Sequence, residues 1–154
     1  MTDTATQEQP PLMVNGQYVK DLSFEVPGAP AIFGEMNGSP DIPIHVDISV
    51  NPLQDNVFEV VLHIKIEAAI EGRPVFIAEV AYGGVFTVNV PADQVQPLLL
   101  VECPRLLFPF ARVIIADLTR DGGFPPLMIQ PIDFIQLYRS RLAQSEAEGP
   151  VGHA

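Results

Sequence analysis

Apolar and polar residues alternate along most of the first 90 positions, and a period of two marks half-buried strands. In YVKDLSFEV (18–26), Tyr18, Leu22, Phe24 and Val26, with Lys20, are expected on one face and Val19, Asp21, Ser23 and Glu25 on the other. A connection rich in Pro and Gly, PGAPAIFGEMNGSP (27–40), leads to a second strand in which Ile42, Ile44, Val46, Ile48 and Val50 oppose Pro43, His45, Asp47 and Ser49. That connection is long for a loop, and Ile32, Phe33 and Met36 read as exposed apolar side chains with something to do. The clearest alternation is VFEVVLHIKIEAAIE (57–71), with Phe58, Val60, Leu62, Ile64, Ile66, Ala68 and Ile70 against Glu59, His63, Lys65 and Glu67. A turn at Glu71-Gly72-Arg73-Pro74 returns the chain antiparallel as a hairpin. The returning strand, VFIAEVAY (75–82), is apolar on both faces, with Glu79 as its one charge, and so calls for cover on both sides.

Beyond Gly83-Gly84, which reads as a bulge or kink, and Val85 to Val90, the period becomes helical. Asp93 can cap a short helix that Pro104 interrupts, and RLLFPFARVIIADLTRD (105–121) continues as a helix ended by Gly122-Gly123. This helix is apolar almost all round, which predicts its own sheet on one side and another subunit on the other. FPPLMIQPI (124–132) is stiffened by three prolines, and Asp133 with Gln136 starts a last helix striped by Phe134, Leu137, Tyr138 and Leu142. The pattern therefore predicts an α+β fold: a four-stranded antiparallel sheet with two C-terminal helices packed on one face. One domain is expected over 15–143, with disordered tails at 1–14 and 144–154.

Composition sharpens this picture. The chain is 47% hydrophobic yet carries a formal net charge of −11, so it must fold and must cover much apolar surface. Residues 1–91 hold twelve acidic against three basic residues, and 92–154 hold seven against five, so the first part reads as an acidic face and the second as a packing element. Such acidity argues against nucleic acid and against direct membrane insertion, and favours a basic protein partner. No signal peptide and no membrane-length apolar run is found, which predicts a soluble cytoplasmic protein. Cys103 alone excludes an internal disulfide and reads as a small buried hydrophobe.

Catalytic constellations are missing. His45, His63 and His153 have no partner at metal-ligand spacing, and Ser23, Ser49 and Thr87 sit in no nucleophile motif. Asp21 and Glu25 share a strand face but lie roughly 13 Å apart, too far for paired acid–base work. The expectation is a binding protein that is not an enzyme and has no cofactor or metal.

Five segments carry a resemblance: YVKDLSFE (18–25), FEVVL (58–62), AEVAYGGVF (78–86), CPRLLFPFAR (103–112) and GFPPLMIQPIDF (123–134). Together, from about residue 18 to 142, they closely resemble the SecB family of bacterial protein-export chaperones. The resemblance implies an ATP-independent holdase that binds unfolded preproteins in the cytoplasm and delivers them to the translocation motor SecA. It implies a homotetramer, a dimer of dimers, with the long helices sandwiched between sheets. Carried over by position, SecA docking falls on Asp21, Glu25, Ile77 and Glu79, and the client groove on Ile42, Ile44, Val46, Phe134, Tyr138 and Leu142. The contact between dimers falls on Ala78, Val80 and Tyr82, where Tyr82 is larger than the family pattern suggests.

Three readings thus stand together. A chaperone needs a surplus of groove-like apolar surface; a small ligand-binding protein or enzyme would need convergent polar groups inside an apolar pocket. A structural adaptor that bridges folded partners would need neither. For the groove residues, membership of an ordinary core stays open, because strand residues facing a helix stripe look alike in both cases.

Overall fold

A computed structural model describes residues 8–147. Its elements are β1 (Leu12–Glu25), a short α1 (Ala31–Glu35), β2 (Ile44–Gln54), β3 (Val57–Ile70), β4 (Arg73–Val88), α2 (Ala92–Pro97), α3 (Cys103–Asp121) and α4 (Phe134–Ala147). The four strands form one antiparallel sheet in the order β1-β4-β3-β2, so β2 to β4 meander and β1 closes a Greek-key arrangement beside β4. The α+β class, with its helices after the sheet, is as the alternation predicts.

Turn chemistry sets the meander. Between Ile70 and Arg73 the two loop residues, Glu71 and Gly72, both have positive φ (50° and 78°), the two-residue geometry that matches the natural twist of paired strands. Pro52 sits on β2, an edge strand, where a missing N–H costs no ladder bond to a further neighbour.

Several boundaries differ from expectation. β1 begins at Leu12, inside the stretch expected to be disordered, because β4 runs on to Val88 and offers Leu12, Met13 and Val14 partners at Val88, Thr87 and Phe86. α4 continues to Ala147, beyond the expected end at 143; residues 1–7 and 148–154 of the expected tails lie outside the described residues. The register of β1 shifts between Val14 and Gly16 and again between Val19 and Asp21. The second bulge, at Lys20, reverses the phase of the strand. Tyr18, paired with Gly83, therefore shares a face with Asp21, Ser23 and Glu25, not with Leu22 and Phe24 as strict alternation predicts. The glycines that read as a kink in β4 stay in register, and they serve close approach instead: a Cβ on Gly83 would stand 2.9 Å from the Tyr18 ring, and one on Gly84 would stand 2.8 Å from the Phe86 ring.

The helical half is continuous from Ala92 to Asp121. Pro104 does not interrupt it, because residues Leu98–Glu102 form a wider π turn, in which the Cys103 N–H reaches back to the Leu98 carbonyl, and Pro104 takes the first turn of α3. A proline ring would otherwise strike the carbonyl four residues back, and widening the turn relieves that contact. α3 lies on β3 and β4 and buries Leu107, Phe108, Ala111 and Ile115 against Val60, Leu62, Ile64 and Ile66. In the long connection, Ile32 is core rather than exposed, while Phe33 stays 45% exposed. Phe33 meets Phe124 at 5.3 Å in a tilted pair, Phe124 meets Phe76 at 5.1 Å, and Phe76 meets Phe24 at 5.7 Å, an aromatic chain joining α1, the segment after α3, β4 and β1.

The segment after α3 is pinned by one hydroxyl. Thr119, fully buried, shares its proton between the Ile115 and Ala116 carbonyls (3.0 Å each) and accepts the Leu127 N–H at 2.8 Å. Replacing Thr119 with Val keeps the shape and strands that N–H, so Thr119→Val should lower unfolding stability by about 1–3 kcal/mol in urea titrations followed by circular dichroism. Thr119→Ser, which retains the hydroxyl, should cost less.

Candidate functional site

The sheet has one face under α3 and one open face, and the register decides what the open face carries. Asp21 pairs with Ala81, Ser23 with Glu79 and Glu25 with Ile77, so the four expected docking residues, Asp21, Glu25, Ile77 and Glu79, come together on the open side. From β3 and β2 the same face receives Lys65, His63, Glu67, Asp47 and His45. Asp21, Asp47, His63, Lys65 and Glu79 surround a shallow hollow of about 330 Å³. Glu79 is not the isolated acid that its own strand suggests: Lys65, its cross-strand neighbour, lies 3.4 Å from it and 3.0 Å from Glu67. Those contacts, Glu67 first, hold the Lys65 ammonium above its ordinary pKa, and Lys65 in turn holds the Glu67 carboxyl below its own. Acids outnumber lysines on this face, which suits a basic segment.

Beside this hollow, Tyr18 covers Gly83 and donates to Glu59, which Lys20 meets at 2.7 Å. Burial and the Glu59 carboxylate push the Tyr18 phenol up to about 12, while bonds from Lys20 and Tyr18 hold the Glu59 carboxyl down. Ser49 and His63 are 3.0 Å apart on the same open face.

The apolar hollows gather around α4. The largest, about 580 Å³, lies between α4 and the α2 segment with its π turn; Leu98, Val101, Ile135, Tyr138 and Leu142 line it, with Glu102 and Arg139 among its polar members. A second, about 370 Å³, lies where Ile48 and Val50 of β2 face Val95, Leu99 and Leu100. Of the expected groove residues, Tyr138 and Leu142 line the first hollow. Val46 lines a smaller one beside Leu137. Ile44 is 37% exposed and Ile42 half-buried, both outside these linings, and Phe134 is core, edge-on to Phe108. Leu98, Val101 and Ile135 are among the lining residues that sequence reasoning missed. The apolar run LLLV at 98–101 was visible, but nothing in the sequence marks a π turn that tips it toward α4.

A third apolar surface lies on the outward side of α3. Leu106, Phe110 and Val113, one helical stripe, are 42%, 50% and 53% exposed, and Val19 and Leu22 of β1 stand exposed on the same side of the sheet. Ala78 and Val80 are wholly buried within the single chain, so they do not offer their side chains to another subunit. Tyr82, nearly buried, stacks at 5.9 Å on Phe110 and so supports the exposed stripe from beneath. The Cys103 thiol is sealed in the core, where burial and then Glu102 push it up to about 12. Among the described residues no group of three or more His, Cys, Asp or Glu is placed to hold a metal, and no helix is long and apolar enough to cross a membrane.

The family described as preprotein translocase subunit SecB matches residues 5–145. The chain is 60% identical to the protein-export protein SecB of Paramagnetospirillum magneticum over 151 residues, which covers 96% of this chain and 97% of that protein. It is 57% identical to the protein of the same description from Rhodospirillum rubrum, covering 95% and 92% of the two chains. Among solved structures, a SecB-like chaperone of Mycobacterium tuberculosis in complex with an antitoxin peptide superposes with a TM-score of 0.65 at 15% identity, over 79% of this chain and 90% of that one. At that identity the likeness establishes the fold.

The Tyr18 cluster carries a pH signature. Its phenol, held at about 12 against an ordinary 10, contributes stability that is complete below pH 10 and is lost as the pH rises toward 12. In an alkaline absorbance titration Tyr18 should ionise late, in a step near pH 12 that Tyr18→Phe removes. Glu59→Gln should move it only part of the way back, since burial, the larger cause, remains.

Proposed function

The chain belongs to the SecB family, and from that membership we propose that it is an ATP-independent holdase which captures unfolded secretory precursors in the cytoplasm and delivers them to SecA. It works as a binding protein rather than an enzyme. The observation that carries this reading is the separation of two surfaces of opposite chemistry: apolar hollows around α4, and an acidic open sheet face.

An unfolded chain offers short apolar and aromatic stretches, and each Å² of them removed from water is worth roughly 25 cal/mol. Shallow hollows edged by Tyr138, Leu142, Ile48 and Val50 take such side chains one at a time, so several weak subsites on one client replace a single deep pocket. Ile44 and Val46 extend the same client surface along β2, while Phe134 and Ile42 act as its backing. Folded proteins, whose apolar stretches are buried, are passed over. The acidic face, with Asp21, Glu25 and Glu79 beside Ile77, is the docking place for a basic segment of SecA.

The exposed stripe of Leu106, Phe110 and Val113 with Val19 and Leu22 supports self-association into the homotetramer, with Ala78, Val80 and Tyr82 acting from beneath that surface. Half-exposed side chains of this size in one patch are costly to leave in water and mark an interface.

Native mass spectrometry separates the readings. The protein alone should appear as a tetramer, and it should bind a permanently unfolded polypeptide but not the same polypeptide when folded; a monomer, or equal binding of both forms, would sink the proposal. Asp21→Ala combined with Glu79→Ala should weaken SecA binding about tenfold, two exposed charge contacts of at most about 1 kcal/mol each, and leave client capture unchanged.

A further inference from the structure

One polar tether holds α4 against the sheet, and its acidic end stands on the other functional surface. Arg141 of α4 donates to the Ile48 carbonyl at 3.1 Å and forms an ion pair with Asp47, both on edge strand β2. Asp47 points along the open face, where its Cα partner is His63 and where it helps to line the hollow shared with Asp21, Lys65 and Glu79. It also lines the small cleft under α4 with Val46, Leu137 and Arg141. A single carboxylate is therefore common to the acidic face and to the helix whose Tyr138 and Leu142 wall the apolar hollow.

From this sharing we infer that Arg141–Asp47 is a latch: it holds α4 as the wall of the client groove, and a basic segment seated on the acidic face competes for Asp47, frees Arg141 and loosens that wall. The inference rests on the reading of α4 as part of the client surface. α4 carries little else to anchor its far half: Phe134 at its start is buried, Leu137 and Tyr138 are partly buried against the core, and beyond them Leu142 borders a hollow and is 40% exposed. The ion pair is exposed, with 39% and 70% of its side chains open, so it is weak enough to be displaced by a competing cation and is screened by salt. A loosened wall withdraws Tyr138 and Leu142 from a bound apolar segment and shortens its residence. Docking and client retention then oppose one another, and by linkage each weakens the other to the same degree.

Hydrogen exchange on the full-length protein without client tests the latch. Arg141→Gln and Asp47→Asn should each raise exchange of the α4 amides about three- to fivefold, the range open to a surface pair, with exchange in β3 and β4 unchanged. The swapped pair, Asp47→Arg with Arg141→Asp, should restore protection. No change in α4, or no recovery in the swap, overturns the latch. A Lys-rich decapeptide at low salt, added to saturation, should speed α4 exchange in the wild-type chain but not further in Arg141→Gln; failure to bind, or binding that leaves α4 as it was, overturns the coupling. With a labelled unfolded polypeptide, Arg141→Gln should dissociate faster by the same factor. If α4 loosens while client dissociation is unaltered, the inference falls with the assignment of α4 as groove wall; if α4 does not respond while the wild-type chain still captures client, the inference falls alone and the chaperone reading stands.

Discussion

Helix α3 lies over β3 and β4 and does not reach far over β1 or β2. The width of one helix decides this, since a helix of about 10 Å covers roughly two strands spaced by nearly 5 Å. Beneath it sit Val60, Leu62, Ile64 and Ile66, completely enclosed; to one side Val19 and Leu22 of β1 stand half-exposed, and to the other Ile48 and Val50 of β2 face the π-turn segment across a hollow that Arg141 of α4 also lines. The patch beside β1 and the hollow beside β2 are the two edges of that incomplete cover. The single-chain core and the surplus left for other molecules are products of the same mismatch between one helix and four strands.

The other side of the sheet obeys a different rule. Among the described residues no helix covers it, and small side chains, charge and one aromatic ring take the place of cover: Gly83 lies under Tyr18, Ala81 is nearly enclosed, and Lys65 spans Glu67 and Glu79. This explains how β4 can read as apolar on both faces and yet present an open, polar surface. Ala81 and Gly83 on its outward side are small enough to be shaded by their neighbours on β1 and β3, while Glu79 supplies the charge.

Much of this was legible in the sequence, and the reasons are local. Strands β2 and β3 could be placed because alternation is a property of neighbouring residues, and the hairpin at Glu71-Gly72 because positive φ needs particular residue types. The set Asp21, Glu25, Ile77 and Glu79 was found through resemblance, and its members meet on one face. What escaped depends on partners distant in sequence. The phase of Tyr18 turns on a bulge at Lys20, the partner of Glu79 is Lys65 on another strand, and the orientation of Leu98 and Val101 depends on a π turn fitted around Pro104. Phe134 has the helical spacing of a groove residue, and only the position of Phe108 makes it core.

The bulge at Lys20 has a further meaning for the gene. β1 is three segments in alternating phase, and the surplus residue at 20 splices the last two. Loss of that codon would leave composition and charge almost untouched, yet one half of β1 would have to turn over, sending acids toward the helix side or Leu22 and Phe24 into water. Deleting residue 20 should therefore disturb the strand more than replacing its side chain, which gives up only the half-exposed ion pair of Lys20 with Glu59.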